Sequence, residues 1–287
     1  MVSGYAASLM IERVRANGLE FAYLAEGKGP LVLLLHGFPD SAYGWDKTRP
    51  ALAAAGFRAV SPFLRGYAPT AVPSDGDYRV DTLARDAGAL ITALGAERAV
   101  VVGHDWGASA AYGVASLSPE RVRALVTLAI PHPASIPRTP LLLWKARHFI
   151  ALRRKDAAAM ASANDFAYID ELVRRWSPAW KFPPEETAPV KKIFADPACL
   201  EAACGYYRAI GLTVPQSVRG RIRVPTVMFA GATDPFFKPD FYERARRHFT
   251  AGYEVVTLPG GHFLHREHPD EFNAALLRRL GTLGGGW

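Results

Sequence analysis

The residues best suited to chemistry are a carboxylate between two glycines, a second aspartate and a histidine. Asp105 sits in GHDWG, Asp234 in GATDP and His262 in GGHFLH. A nucleophile is presented best on a sharp turn, and Gly103 and Gly107 relieve crowding where a strand would bend abruptly into a helix. Asp105 would then stand at that helix's N-terminus, where the dipole and free amides keep a carboxylate ionised. Each residue also has a plainer reading: aspartate is a common helix cap, Asp234-Pro235 makes a good turn, and a lone histidine is more often structural. Order and placement weigh against the plain readings, because all three follow strand-like runs in the sequence nucleophile, acid, histidine. HGFP, at 36–39, ends an earlier strand-like run. The backbone N–H of Phe38 and that of Trp106 would give the two donors of an oxyanion hole. His36 and His104 read as braces for these loops.

Such residues need a scaffold that brings distant loops together. Strand-like runs occur at 11–16, 19–27, 31–37, 57–64, 98–104, 123–130, 224–231 and 253–260, several of them unbroken Val and Leu stretches. Unbroken apolar runs suit strands buried on both faces of a parallel sheet. Helical stretches at 42–55, 81–94, 108–116, 240–248 and 269–280 alternate with them, which predicts an α/β fold: eight strands, mostly parallel, flanked by helices. Alternation stops between about 131 and 219, where only helical segments such as 164–176 and 197–211 are found. The expected organisation is a core domain from 1–131 and 220–287, with a helical cap at 132–219. In open parallel sheets ligands bind beyond the carboxyl ends of the strands, so the motifs should converge there.

Composition bounds the remaining classes. With 287 residues, 49% of them hydrophobic, the chain is long enough for one large core with an insertion. The net charge of +7 is spread along the sequence except at 145–155, which reads as a solvated helix face; no nucleic-acid signature accompanies it. Cys199 and Cys204 lack a CxxC frame and read as structural thiols. HFLHREH, at 262–268, spaces histidines by three but has no matching acidic set, so neither a metal nor an organic cofactor is expected. The first ten residues carry no signal-peptide pattern and no run of about 18 apolar residues is present, so a cytoplasmic protein without a membrane partner is expected. The tail at 281–287 reads as a frayed end, and the apolar surface of the insertion allows a homodimer.

HGFP, RGY (65–67), GHDWG, GATDP and GHFLHREHP together resemble the α/β-hydrolase superfamily, in its epoxide hydrolase and haloalkane dehalogenase branch, over about residues 11–280. One departure is Phe63, where the family usually has aspartate two residues before the arginine of RGY. The resemblance implies a covalent ester on Asp105, hydrolysed by water that His262, oriented by Asp234, activates. Halide and epoxide oxygen remain as leaving groups. Trp106 fits both branches. Phe38 stands where haloalkane dehalogenases often carry asparagine, and HGFP is the epoxide hydrolase form. Fluoroacetate dehalogenases carry arginine at the positions of Trp106 and Ser109, so their carboxylate clamp is missing. Epoxide hydrolases commonly use two lid tyrosines as acids, and GYYRA (205–209) puts Tyr207 in that role. No second tyrosine matches well; a smaller branch uses a His–Tyr pair, which points to His148, with Tyr168 as fallback. Trp144, Phe149, Phe236 and Phe263, with Trp176, Trp180 and Phe237, could wall an apolar pocket. The implied reaction is conversion of a small apolar epoxide and water to a vicinal diol. Its alternatives are a hydrolytic haloalkane or haloacid dehalogenase and a non-catalytic ligand-binding member of the fold.

Overall fold

The computed structural model describes residues 10–137, 139–211 and 213–283. The first nine residues and the last four of the glycine-rich tail, both read above from sequence, lie outside the described residues.

Strand-forming runs appear where the apolar pattern places them: β1 (Glu12–Ala16), β2 (Leu19–Glu26), β3 (Leu31–Leu35), β4 (Arg58–Pro62), β5 (Ala99–His104), β6 (Val122–Leu128), β7 (Thr226–Gly231) and β8 (Tyr253–Leu258). They form one sheet in the order β1-β2-β4-β3-β5-β6-β7-β8. The first two pairings are antiparallel and all others parallel. β3 and β5 are buried throughout, and their residues alternate between two apolar layers. Leu31, Leu33, Leu35 and Val101 face one layer, Val32, Leu34, Val100 and Val102 the other. A two-residue period with apolar groups at every position is what a strand covered on both sides requires.

The helices are α1 (Arg49–Ala54), α2 (Val80–Ala93), α3 (Trp106–Leu117), α4 (Pro140–Lys145), α5 (His148–Arg153), α6 (Ala157–Trp176), α7 (Ala188–Phe194), α8 (Pro197–Arg208), α9 (Pro239–Arg244), α10 (Leu264–Glu267) and α11 (Pro269–Leu283). The helix expected at 42–55 is two pieces, a 3-10 turn at Ala42–Trp45 and then α1, which begins beside Pro50. Proline fits a first helical turn and not an interior, so it restarts the helix. α4 to α8 form the insertion between β6 and β7, and no strand interrupts them among the described residues. Leu152, Ile169, Trp176, Phe194 and Tyr207 of the insertion share one apolar cluster with Leu33, Leu90 and Tyr112 of the sheet layer below. α6 is broken at Ala163–Phe166, where Asn164, Asp165 and Phe166 all have positive φ. Among the described residues no helix is long and apolar enough to cross a membrane.

Chain order along the sheet reverses at β3, which lies between β4 and β5. A crevice opens beyond the strand ends at such a reversal. The loops after β3 and β5, bearing Phe38 and Asp105, meet there.

Candidate active site

Asp105 links β5 to α3 with φ 52° and ψ −115°, a backbone conformation that strains any residue with a side chain. Packing holds it there. A Cβ on Gly103 would lie 2.3 Å from the Gly107 carbonyl oxygen, and one on Gly107 would lie 2.1 Å from that of Leu35. The two glycines are thus fixed by backbone-to-backbone contact, and the elbow lifts the carboxylate over the strand ends. Its Oδ1 accepts a 2.9 Å bond from the Phe38 N–H. Trp106 is the first residue of α3, where helical amides lack an intrahelical acceptor.

His262 stands on the other side of the carboxylate. Nδ1 lies 3.3 Å from Asp234 Oδ2, and Nε2 lies 3.5 Å from Asp105 Oδ2. The second distance is a charge contact, not a well-formed hydrogen bond. Asp234, with a fully buried side chain, is itself oriented by the Phe236 N–H, 2.7 Å from Oδ1. Burial by itself would lower the His262 pKa, but Asp105 and Asp234 outweigh it and raise it to about 9. Asp105 mirrors this: burial pushes its carboxyl up, yet His262, His104 and the Phe38 N–H hold it below the usual carboxylate range. Near neutral pH the two form an ion pair.

Aromatic rings close over this pair. Tyr207, buried on α8, touches Phe38 and Trp106 edge-on at centroid distances of 5.3 Å each, and Phe149 at 5.2 Å. Burial first, and the Asp105 charge second, raise its phenol well above 10; contact with the Trp106 indole pulls the other way. Tyr206 meets Trp106 as well, but its hydroxyl goes to the Arg65 carbonyl at 2.8 Å. His148 lies 5.9 Å from Tyr207 and 4.7 Å from Trp176, ring to ring. Its pKa falls to about 3, through burial chiefly and against the pull of Asp105, so the ring is neutral at physiological pH. Tyr168 is only partly buried and its phenol interacts with Arg175.

The expected pocket wall needs two corrections, at Trp144 and at Phe237. Trp144 is 63% exposed and lies beneath the Arg147 guanidinium, on a face of α4 that it shares with exposed Leu141, three residues before it. Phe236 contacts His262 and His148, Phe263 packs against His262 and His104, and Trp176 contacts His262, so these rings do surround the site. Phe237 packs away from it, with Tyr242. The basic stretch at 145–155 is more than a solvated face, since Arg153 donates to the carbonyls of Tyr207 and Ile210 at 3.3 and 2.9 Å. Phe63 is buried against Tyr43, while Arg65 of RGY pairs with Asp86 through two bonds of 2.5 and 2.8 Å.

His104 braces the loops as its sequence position suggests, while the supporting roles of Asp40, Arg266 and Glu186 escaped the sequence reading. His104 Nε2 lies 2.9 Å from the His262 carbonyl oxygen; a carbonyl only accepts, so that nitrogen carries the proton. Behind it, ligand-type atoms of Asp40, His104 and His265 lie within 4.8 Å of one another. Arg266 Nη1 stands 3.2 Å from Asp40 Oδ1, so positive charge already borders this cluster. Arg266 also pairs with Glu186 of the insertion, at 2.8 Å. Asp40 follows HGFP directly, the one sequence signal that could have singled it out; Glu186 lies in no motif.

A model described as the alpha/beta hydrolase fold matches residues 30–269. The AB hydrolase superfamily protein YfhM of Bacillus subtilis is 32% identical over 275 residues, covering 93% of this chain and 96% of its own. Epoxide hydrolase A of Mycobacterium tuberculosis is 29% identical over 311 residues, covering 93% and 96%. The crystal structure of epoxide hydrolase VrEH1 from Vigna radiata superposes with a TM-score of 0.82 at 25% identity, covering 96% of this chain and 98% of that one. By matched model, relatives and sheet order alike, the chain belongs to the α/β-hydrolase family, alongside its epoxide hydrolases.

Proposed function

We propose that the chain is an epoxide hydrolase that forms a vicinal diol through an ester on Asp105, with α4 to α8 acting as a cap over the site. The observation that carries this reading is Tyr207, a buried, protonated phenol in ring contact with both residues that flank the carboxylate, Phe38 and Trp106. A halide leaves without a proton, whereas an epoxide oxygen becomes a strongly basic alkoxide that needs one.

Since Oδ1 is held by the Phe38 N–H, Oδ2 is the attacking oxygen. It bonds to a ring carbon, the ring C–O bond breaks, and the electron pair passes to the oxygen, which takes the Tyr207 proton. Neutral His148 beside Tyr207 contributes a hydrogen bond and no charge. The proton that His262 carries at the outset restores the phenol, leaving a neutral imidazole. Esterification has meanwhile removed the negative charge of Asp105, one of the two that raise the His262 pKa. His262 then takes a proton from water as hydroxide attacks Cγ of Asp105, and the oxyanion forms on Oδ1, already facing the Phe38 N–H. Collapse breaks the ester bond, and the carboxyl proton passes to the departing alkoxide. Small neutral epoxides suit a site ringed by aromatics without a carboxylate clamp.

Incubation of a His262→Gln variant with aryl and alkyl epoxides and with haloalkanes, followed by peptide mass spectrometry, tests the reading. An ester on Asp105 from epoxides is expected; one formed only from haloalkanes would replace it with a dehalogenase, and none at all would leave a ligand-binding protein.

A further inference from the structure

His262 can serve as the base of the second step only if its ring is held in place as it takes a proton from water, yet it sits in a loop. Of the three consecutive amides around it, one is held by the end of the short helix that follows and two by a remote segment of the insertion. Gly261 N–H donates to Glu267 Oε1 at 2.8 Å, His262 N–H to the Trp176 carbonyl at 3.0 Å, and Phe263 N–H to Ser177 Oγ at 3.1 Å. Ser177 in turn donates to the same Glu267 oxygen at 2.5 Å. Trp176 and Ser177 belong to the C-terminal end of α6, in the insertion, and Ser177 is fully buried. Contact is close enough to dictate sequence: a Cβ on Gly261 would lie 2.8 Å from both Ser177 Cα and Ser177 Oγ. Neither Ser177 nor Glu267 touches Asp105 or Tyr207, so neither belongs to the reacting set.

We propose that Ser177 and Glu267 are positioning residues through which the insertion sets the place of His262, and that they govern hydrolysis of the ester and not its formation. This rests on the epoxide hydrolase reading given above. Ring opening needs Asp105 and Tyr207; only the second step needs a base aimed at water beside Cγ of Asp105. A buried hydroxyl that both accepts from the histidine loop and donates to its anchor couples the two halves of the molecule at that point. Loss of the hydroxyl leaves the Phe263 N–H and a Glu267 lone pair without their partner, and the loop relaxes by fractions of an ångström. Displacements of this order change rates of general-base steps by ten- to a hundredfold, whereas a nucleophile on a separate rigid elbow is untouched.

The test is single-turnover kinetics on the full chain with a styrene oxide-type substrate, following ester formation and decay by quenched mass spectrometry. For Ser177→Ala, decay about tenfold slower with formation changed less than about twofold is expected, so the ester accumulates. Glu267→Ala should behave likewise, and Glu267→Gln, whose amide oxygen can accept both bonds, should restore decay. Equal slowing of both steps, or decay at the wild-type rate in Ser177→Ala, overturns the proposal. NMR titration of the His262 ring gives a readout free of any substrate: a pKa lowered in Ser177→Ala and Glu267→Ala but not in Glu267→Gln supports the clamp, and an unchanged value counts against it. Should wild-type protein form no ester with any epoxide, the functional reading fails, while the titration still decides whether the clamp sets His262.

Discussion

A carboxylate nucleophile must be ionised to attack, and the ester it forms must then meet a neutral base. In the proposed reaction Asp105 and His262 would meet both demands, because each shifts the other's protonation. Replacing Asp105 with asparagine imitates the uncharged ester, so the His262 pKa, about 9 in the native protein, should drop toward its ordinary value in an NMR titration of Asp105→Asn. The same pair makes stability depend on pH. His262 has a folded-state pKa of about 9, above the 6.5 of the unfolded chain. Its contribution is therefore complete below about pH 6.5 and is lost as the pH rises through about 9. At ~1.4 kcal/mol per pH unit that interval is worth ~3 kcal/mol. Urea unfolding at pH 6 and pH 10 should show a loss of this order that His262→Gln lacks. At Tyr207, removal of the hydroxyl in Tyr207→Phe should slow single-turnover ester formation by about 10²-fold or more, the range of a lost general acid, without a matching loss in ester decay.

Elements place these groups through contacts that tolerate little change. The elbow depends on β3, β5 and α3 meeting backbone to backbone, and Gly107 is where they are tightest. Gly107→Ala would drive a methyl into the Leu35 carbonyl at 2.1 Å, so several kcal/mol of lost stability and a lower melting temperature are expected. α2 is tied to the RGY loop by the Arg65–Asp86 pair, with side chains 3% and 6% exposed. Burial pushes the Asp86 carboxyl up and Arg65 only partly offsets this, so the pair is a poor source of net stability but costly to break. Asp86→Ala should destabilise by about 3–5 kcal/mol in urea unfolding, since it leaves the guanidinium buried without its carboxylate.

At the scale of the molecule, the segment 261–267 is the junction of sheet and insertion. Arg266, 8% exposed, joins Asp40 beside the HGFP loop to Glu186 of the insertion and lies over the rings of Trp180 and Phe263. Arg266→Met keeps much of the packing but strands the buried Asp40 carboxylate and leaves Glu186 with Lys47 alone. About 3–5 kcal/mol should be lost in urea unfolding, and amide exchange should rise around Glu186 before it rises in the sheet. The fold itself was legible because its signals are local: two-residue periodicity in the strands, glycines at the elbow, and a long stretch without strands between β6 and β7. Asp105, Asp234 and His262 were legible for the same reason, each lying in a short motif after a strand. Trp144 was misplaced because an aromatic in an amphipathic helix does not declare which side its neighbours will cover. Ser177 and Glu186 left no local pattern, and Asp40, Arg266 and Glu267, although beside or inside quoted motifs, gave no sign of their roles, since Asp40 meets Arg266, Arg266 meets Glu186 and Glu267 meets Ser177 across long stretches of chain. By itself, then, the sequence determined the sheet and the elbow, consequences of short-range sterics and apolar periodicity, and that the side chain on the elbow is a carboxylate. Which rings close over the carboxylate, which charges hold the histidine protonated and which hydroxyl fixes its loop were decided only when the tertiary structure brought separate segments within hydrogen-bonding range.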